Sequence, residues 1–178
     1  MRFVFFRIKT KTKRESASQN RAEMVYKIIF VKQKLIHMRI LILNGPNLNL
    51  TGTRETEIYG HQTFDSFIEQ LFKLFPKAEI TYKQSNIEGE LINILQATDH
   101  EFDGIVFNPA AYSHTSIALA DTIRSLKIPV IEVHLSNIFA RENYRKKSFT
   151  AEVSKASLSG FGMDGYRMAV DYLLRKSL

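Results

Sequence analysis

The 178-residue chain contains no cysteine. This excludes disulfides, thiol nucleophiles and thiolate metal sites, and it suits a reducing, cytoplasmic setting. No apolar run comes near the roughly 18 residues of a membrane span, so no membrane partner is expected. There is no Walker A or H-E-x-x-H motif, which argues against P-loop and zincin sites. A G-x-S-x-G elbow for a serine nucleophile is missing as well.

What is present starts with charge. The net +7 suggests a nucleic-acid partner until it is located. Residues 1–37 carry ten Lys/Arg against Glu15 and Glu23, while the rest of the chain holds 15 basic and 16 acidic residues. The body is therefore near neutral, and no nucleic-acid partner is expected of it. Segment 1–37 offers neither a core nor a motif. Its composition also suits an organelle transit peptide or a basic arm on DNA, but the preferred reading places the natural start at Met38. Residues 38–178 are then a single catalytic domain, of ordinary globular composition at 44% hydrophobic and 24% charged.

From Met38 the patterning is regular. Arg39–Leu43 is a continuous apolar run, as in a strand buried on both faces. Thr63 is placed to cap a helix with Phe64, Phe67, Ile68, Leu71, Leu74 and Phe75 on its buried side, ended by Pro76. Strands are expected at Glu79–Lys83, Gly104–Phe107, Pro129–Val133 and, weakly marked, Lys155–Leu158. A capping box at Ser85-Asn86-Ile87-Glu88 opens a helix with Ile87, Leu91, Ile94 and Leu95 inward. Further helices are expected over Thr115–Leu126, Asn137–Lys146 and Gly162–Arg175, the last burying Met163, Tyr166, Met168, Ala169, Val170 and Leu173. The alternation predicts an α/β flavodoxin-like three-layer sandwich around a five-stranded parallel sheet of order 2-1-3-4-5. Ligands then bind outside the carboxyl ends of strands 1, 3 and 4.

Those ends carry the chemistry. Asn47, Asn108, His114, Glu132 and His134 are distant in sequence and converge on one crevice. Glu132 and His134 are two apart on a strand and point the same way. A carboxylate inside IPVIEVHL is either half of an ion pair with an arginine or the holder of a proton-transferring histidine. His114 lies at the start of the third helix, where free N–H groups favour an anion, or serves only as a cap. Arg141 and Arg145, one helical turn apart, suit a carboxylate ligand, although Lys146 and Lys147 make a solvated basic face the competing reading. The long segment Asn44–Gly60 reads as a lid. Within it Arg54 favours the phenolate of Tyr59 and so makes it a base; otherwise both are loop residues. This acid, base and anion-clamp set suits proton abstraction and elimination on a small carboxylated substrate. Fold alone also allows a flavin- or phosphate-binding module without turnover.

NGPNLNLTGTRETEIYG, QSNIEGELI, FNPAAYSHTSIALADTI, IEVHLSNIFARENYR and GFGMDGYRMAV, in that order from Met38 to about Leu174, closely resemble type II 3-dehydroquinate dehydratase. The resemblance implies a cofactor-free, metal-free anti elimination of water from 3-dehydroquinate through an enolate, in the shikimate pathway. It implies Tyr59 as the base, Arg54 as its stabiliser, and Asn47 holding a water at the enolate oxygen. His134 would be the acid, oriented by Glu132. Asn108, His114, Leu135, Ser136 and Arg145 would bind substrate, with Arg141 facing the lid. Asp121 would reach a neighbouring subunit in a dodecamer built from trimers. Thr56 stands where the family commonly has proline, and residues 155–160 are less glycine- and β-branched-rich than usual.

Overall fold

A computed structural model describes residues 37–52 and 63–176. Readings that fall on residues 1–36, and those on Arg54, Thr56 and Tyr59, lie outside the described residues. The strands are β1 (Met38–Asn44), β2 (Ala78–Gln84), β3 (Gly104–Asn108), β4 (Val130–His134) and β5 (Ala156–Ser159). The helices are α1 (Phe64–Leu74), α2 (Glu88–Gln96), α3 (Ile117–Ser125) and α4 (Asp164–Lys176). The strands form one sheet of order β2-β1-β3-β4-β5 in which every neighbouring pair is parallel, as the alternation predicts.

Side-chain alternation along the strands builds the two outer layers. Ile40, Ile42, Val106, Ile131 and Val133 share a core with Phe64, Phe67 and Leu71 of α1 and with Tyr166, Ala169 and Val170 of α4. Leu41, Leu43, Ile105, Phe107 and Val130 share the other with Leu91 and Leu95 of α2 and Leu119 and Ile123 of α3. β3 and β4 are buried along their whole length, whereas the outer strands β2 and β5 are half-exposed. Among the described residues no helix is long and apolar enough to cross a membrane.

Several local expectations are corrected. The capping box is displaced: Ser85 Oγ accepts from Ile87 N at 3.0 Å and donates to Glu90, not Glu88. Ile87 is consequently extended ahead of α2 and exposed rather than on its buried face. Leu74 is exposed at the end of α1, and the following residue Phe75 packs on the core instead. Met168 is exposed too, because at 100° per residue it falls on the side of α4 opposite Tyr166.

The helix expected from Thr115 starts at Ile117, where Ser116 Oγ accepts from Leu119 N at 2.9 Å. The helix expected over Asn137–Lys146 is two 3₁₀ turns, Ile138–Ala140 and Asn143–Arg145. Extended backbone at Arg141 and Glu142 separates them, and Asn137 Oδ1 caps the first by accepting from Phe139 N at 3.0 Å.

The ends of β1 and β3 meet where the site begins. Gly45 N donates to Asn108 O at 2.7 Å, and a Cβ on Gly45 would lie 2.5 Å from Pro109 O. Gly45→Ala is therefore expected to destabilise the protein by about 1–3 kcal/mol. Gly89→Ala, in α2 with nothing within 4 Å of the added Cβ, is expected to stabilise it by about 0.5–1 kcal/mol. Denaturant midpoints of the two variants check both signs.

Candidate active site

The carboxyl ends of β1, β3 and β4, with the turns that follow, enclose a pocket. It is lined by Leu48, Asn108, Ala110, Ala111, His114, His134, Leu135, Ser136, Ile138, Arg141 and Arg145. Seven sequence-predicted residues thus meet: Asn108, His114, His134, Leu135, Ser136, Arg141 and Arg145. Glu132 lies behind His134. Asn47 precedes the lining residue Leu48 and is not itself among the lining residues. Asp121 is exposed on α3, paired with Arg124 at 2.6 Å, and is not among the lining residues.

β4 supplies a carboxylate–imidazole pair. Glu132 and His134 share the strand face of Val130, and His134 Nε2 lies 2.7 Å from Glu132 Oε1. The carboxylate is fully buried and the imidazole 5% exposed. Glu132 pairs with this histidine, and no arginine contact to it is seen among the described residues. Oε1 also accepts from Ser148 Oγ at 2.8 Å. A carboxylate only accepts, so Nε2 of His134 carries a hydrogen and its Nδ1 is left for the pocket.

His114 stands beside it, the two rings stacked with centroids 6.0 Å apart. Its expected place at a helix N-terminus is corrected. It ends the 3₁₀ turn Ala110–His114, and the first N–H groups of α3 are capped by Ser116. His114 Nδ1 lies 2.7 Å from Lys147 O, and because a carbonyl only accepts, Nδ1 is protonated. Burial pushes its pKa down, more than the Lys147 carbonyl pushes it up, and the neighbouring His134 and Arg145 lower it further. The neutral ring therefore presents a bare Nε2, an acceptor for a ligand hydroxyl.

Asn108 is fixed from below. Its Nδ2 donates to Tyr166 OH at 2.9 Å, and the Tyr166 hydroxyl donates to Asn44 Oδ1 at 2.8 Å. Asn108 Oδ1 accepts from Ala110 N at 3.1 Å, so the amide orientation is settled and its second N–H remains for a ligand. Asn44 and Asn108 are register partners, and Tyr166 ties the two strand ends together. Burial drives the Tyr166 pKa far up, so it stays a neutral hydroxyl.

Asn47 has left-handed backbone (φ 66°), tolerable for asparagine. Its N–H donates to Asn86 Oδ1 at 2.9 Å, and Gln84 Nε2 donates to that same oxygen at 3.0 Å. Tyr112 OH donates to the Asn86 carbonyl at 3.0 Å.

The cationic rim forms without the expected helix. Arg145 Nε lies 3.0 Å and Arg141 Nε 3.5 Å from Glu142 Oε2, and Arg141 also donates to Ser136 Oγ at 3.4 Å. Both guanidinium groups thus line the pocket through a shared carboxylate rather than through helical spacing. Glu142's own backbone N–H holds its carboxyl below the usual range, helped by Tyr144 and by the two arginines.

Sequence reasoning missed four supporting residues: Ser148, Tyr166 as a polar link, Asn86 and Glu142. Only Tyr166 left a signal, being a hydroxyl on an otherwise apolar helix face. The described residues contain no cluster of His, Cys, Asp and Glu able to hold a metal ion.

A parallel sandwich with a carboxylate-held imidazole beside its switch point, an acceptor histidine next to it and two arginines at the rim has the groups that general acid–base chemistry on a small hydroxylated anion needs. Comparison with known proteins places it more closely. The profile of the family described as Dehydroquinase class II matches residues 38–174, and the chain belongs to that family. It is 54% identical over 138 residues to the 3-dehydroquinate dehydratase of Clostridium botulinum, covering 76% of this chain and 93% of that one. The crystal structure of type II dehydroquinase from Butyrivibrio crossotus superposes with a TM-score of 0.75 at 41% identity, covering 77% of this chain and 97% of that one. That of type II dehydroquinase from Propionibacterium acnes gives the same TM-score at 36% identity, covering 79% and 99%.

The lowered pKa of His114 has a testable consequence. Its ring should titrate below the ordinary histidine value of 6.5 in a pH series of imidazole NMR signals. Because the folded value lies under the unfolded one, the stability His114 contributes is complete above about pH 6.5. It is lost as pH falls through the folded midpoint. His114→Asn should flatten that part of the stability–pH curve.

Proposed function

We propose that this chain dehydrates 3-dehydroquinate to 3-dehydroshikimate, by anti elimination through an enolate, as a step of the shikimate pathway. The observation that carries the reading is the Glu132–His134 pair, 2.7 Å apart, facing a pocket rimmed by Arg141 and Arg145. Family membership and relatives named 3-dehydroquinate dehydratase support it.

In this reading Tyr59, as the phenolate, takes the C2 proton, and Arg54 favours that phenolate and the charge that develops. The electron pair moves onto the substrate carbonyl oxygen, where Asn47 holds a water against the enolate. The enolate then reforms the ketone and expels the hydroxyl on the opposite face. His134, protonated at Nδ1 as well as Nε2 in the reactive state, gives its Nδ1 proton to the departing hydroxyl, which leaves as water, and the imidazolium balanced by Glu132 becomes a neutral imidazole. Net proton transfer from Tyr59 to His134 through solvent restores the starting state. No cofactor and no metal enters.

His114 accepts a substrate hydroxyl at its bare Nε2, Asn108 donates its free N–H, and the Leu135–Ser136 backbone and hydroxyl hold the carboxylate together with Arg145. Arg141, at the pocket rim, is the second cation for the substrate in this reading. Asp121, exposed and not among the lining residues, serves the site of a neighbouring subunit in a dodecamer of trimers. The absence of cysteine suits a cytoplasmic location.

Purified protein mixed with 3-dehydroquinate should generate the ultraviolet absorbance of a conjugated enone; a flat trace would remove the assignment. Tyr59→Phe, Arg54→Ala and His134→Ala should each cut kcat by about 10²- to 10⁴-fold. His134→Ala, which takes a donor from buried Glu132, should also melt lower, whereas Tyr59→Phe and Arg54→Ala should stay within a few degrees of the parent. Loss of the fold in these variants would make the residues packing elements instead.

A further inference from the structure

We infer that Ser148 is a positioning residue for the Glu132–His134 pair, and that residues 147–150 form a strap that orients both pocket histidines at once. Four hydrogen bonds carry the inference. On one side of Ser148, the Lys147 carbonyl receives His114 Nδ1 at 2.7 Å. On the other, Phe149 N donates to Ser113 O at 2.8 Å, which fastens the strap to the turn that carries His114. Between them Ser148 Oγ donates to Glu132 Oε1 at 2.8 Å. The hydroxyl is in turn aimed by Ala151 N, which donates to it at 3.0 Å.

The carboxylate depends on this contact more than its burial alone would suggest. Both of its hydrogen bonds, from His134 and from Ser148, fall on Oε1, and Oε2 has none among the described residues. A carboxylate held by one oxygen can swing about its terminal bond. Two donors converging on that oxygen from different elements fix both its position and its plane. The single hydroxyl proton of Ser148 is committed to Glu132, so Thr150 Oγ1, 3.2 Å away, can only be a donor to it. Without the Ser148 donor, the imidazole itself would be the only group holding the carboxylate that is meant to orient it.

Neither Ser148 nor Glu132 lines the pocket. A disturbance at Ser148 should therefore reach the proton-transfer step and leave substrate binding largely intact.

The kinetic part of this inference rests on the dehydratase reading; the geometric part does not. Ser148→Ala is expected to lower kcat for 3-dehydroquinate by about 10- to 100-fold. KM should stay within about twofold. Ser154→Ala is the control, since Ser154 Oγ donates to Thr150 O at 2.8 Å and braces the same strap without touching Glu132. It should lose stability yet keep kcat. In ligand-free protein, the ring nitrogen and proton resonances of His134 should move in Ser148→Ala and not in Ser154→Ala.

Unchanged kcat in Ser148→Ala, or equal losses in the two variants, would overturn the positioning role. If the parent protein does not turn over 3-dehydroquinate, the functional reading fails. The His134 resonances then still decide the strap: movement in Ser148→Ala alone supports it, and unmoved resonances refute it.

Discussion

The site depends on one carboxylate buried in the middle of a parallel sheet. Glu132 stands on β4 with no exposed surface, between the core residues Ile131 and Val133. Leaving such a charge unpaired costs several kcal/mol, so a folded chain that keeps it must surround it with donors. The donors here are His134, two residues along the same strand, and Ser148, brought back by the strap. An interaction needed to tolerate the charge is also the one that orients the imidazole at the pocket. Stability and chemistry therefore constrain the same few atoms.

The sheet supplies the rest of the geometry through its order. β1 lies between β2 and β3, so the chain reverses its direction of winding there, and the ends of β1 and β3 open side by side. Asn44 and Asn108 face each other across that opening and are joined by Tyr166 from α4, so their positions are set by the core. Loop residues then add what a rigid sheet cannot. The 3₁₀ turns between β4 and β5 bring Arg141 and Arg145 to the pocket around Glu142. The Asn86 side chain holds the left-handed start of the β1 loop.

How much of this could be read from the sequence follows from the range of the interactions. The fold was legible because it rests on local periodicity: a run such as ILIL, buried on both faces, and helices with period 3.6 alternate in an order that admits few topologies. The pairing of Glu132 with His134 was legible for the same reason, being a period-two relation within one strand. Where two local signals competed, the reading failed. Asn137 and Glu142 turn the chain between β4 and β5 although its composition suits a helix, and Ser85 chooses Glu90 over the nearer Glu88. The Ser148 contact to Glu132 spans 16 residues and the Tyr166 contact to Asn44 spans 122, and no periodicity encodes either distance.

The central claim is that the buried carboxylate serves proton transfer rather than packing. Glu132→Gln tests it most directly, because the substitution keeps the volume and removes the charge. Turnover of 3-dehydroquinate and thermal stability should be measured on the same preparation. The account predicts that kcat falls by about 10²-fold or more, well beyond what any loss of melting temperature from the buried amide N–H groups explains. A variant that keeps parental kcat would contradict it.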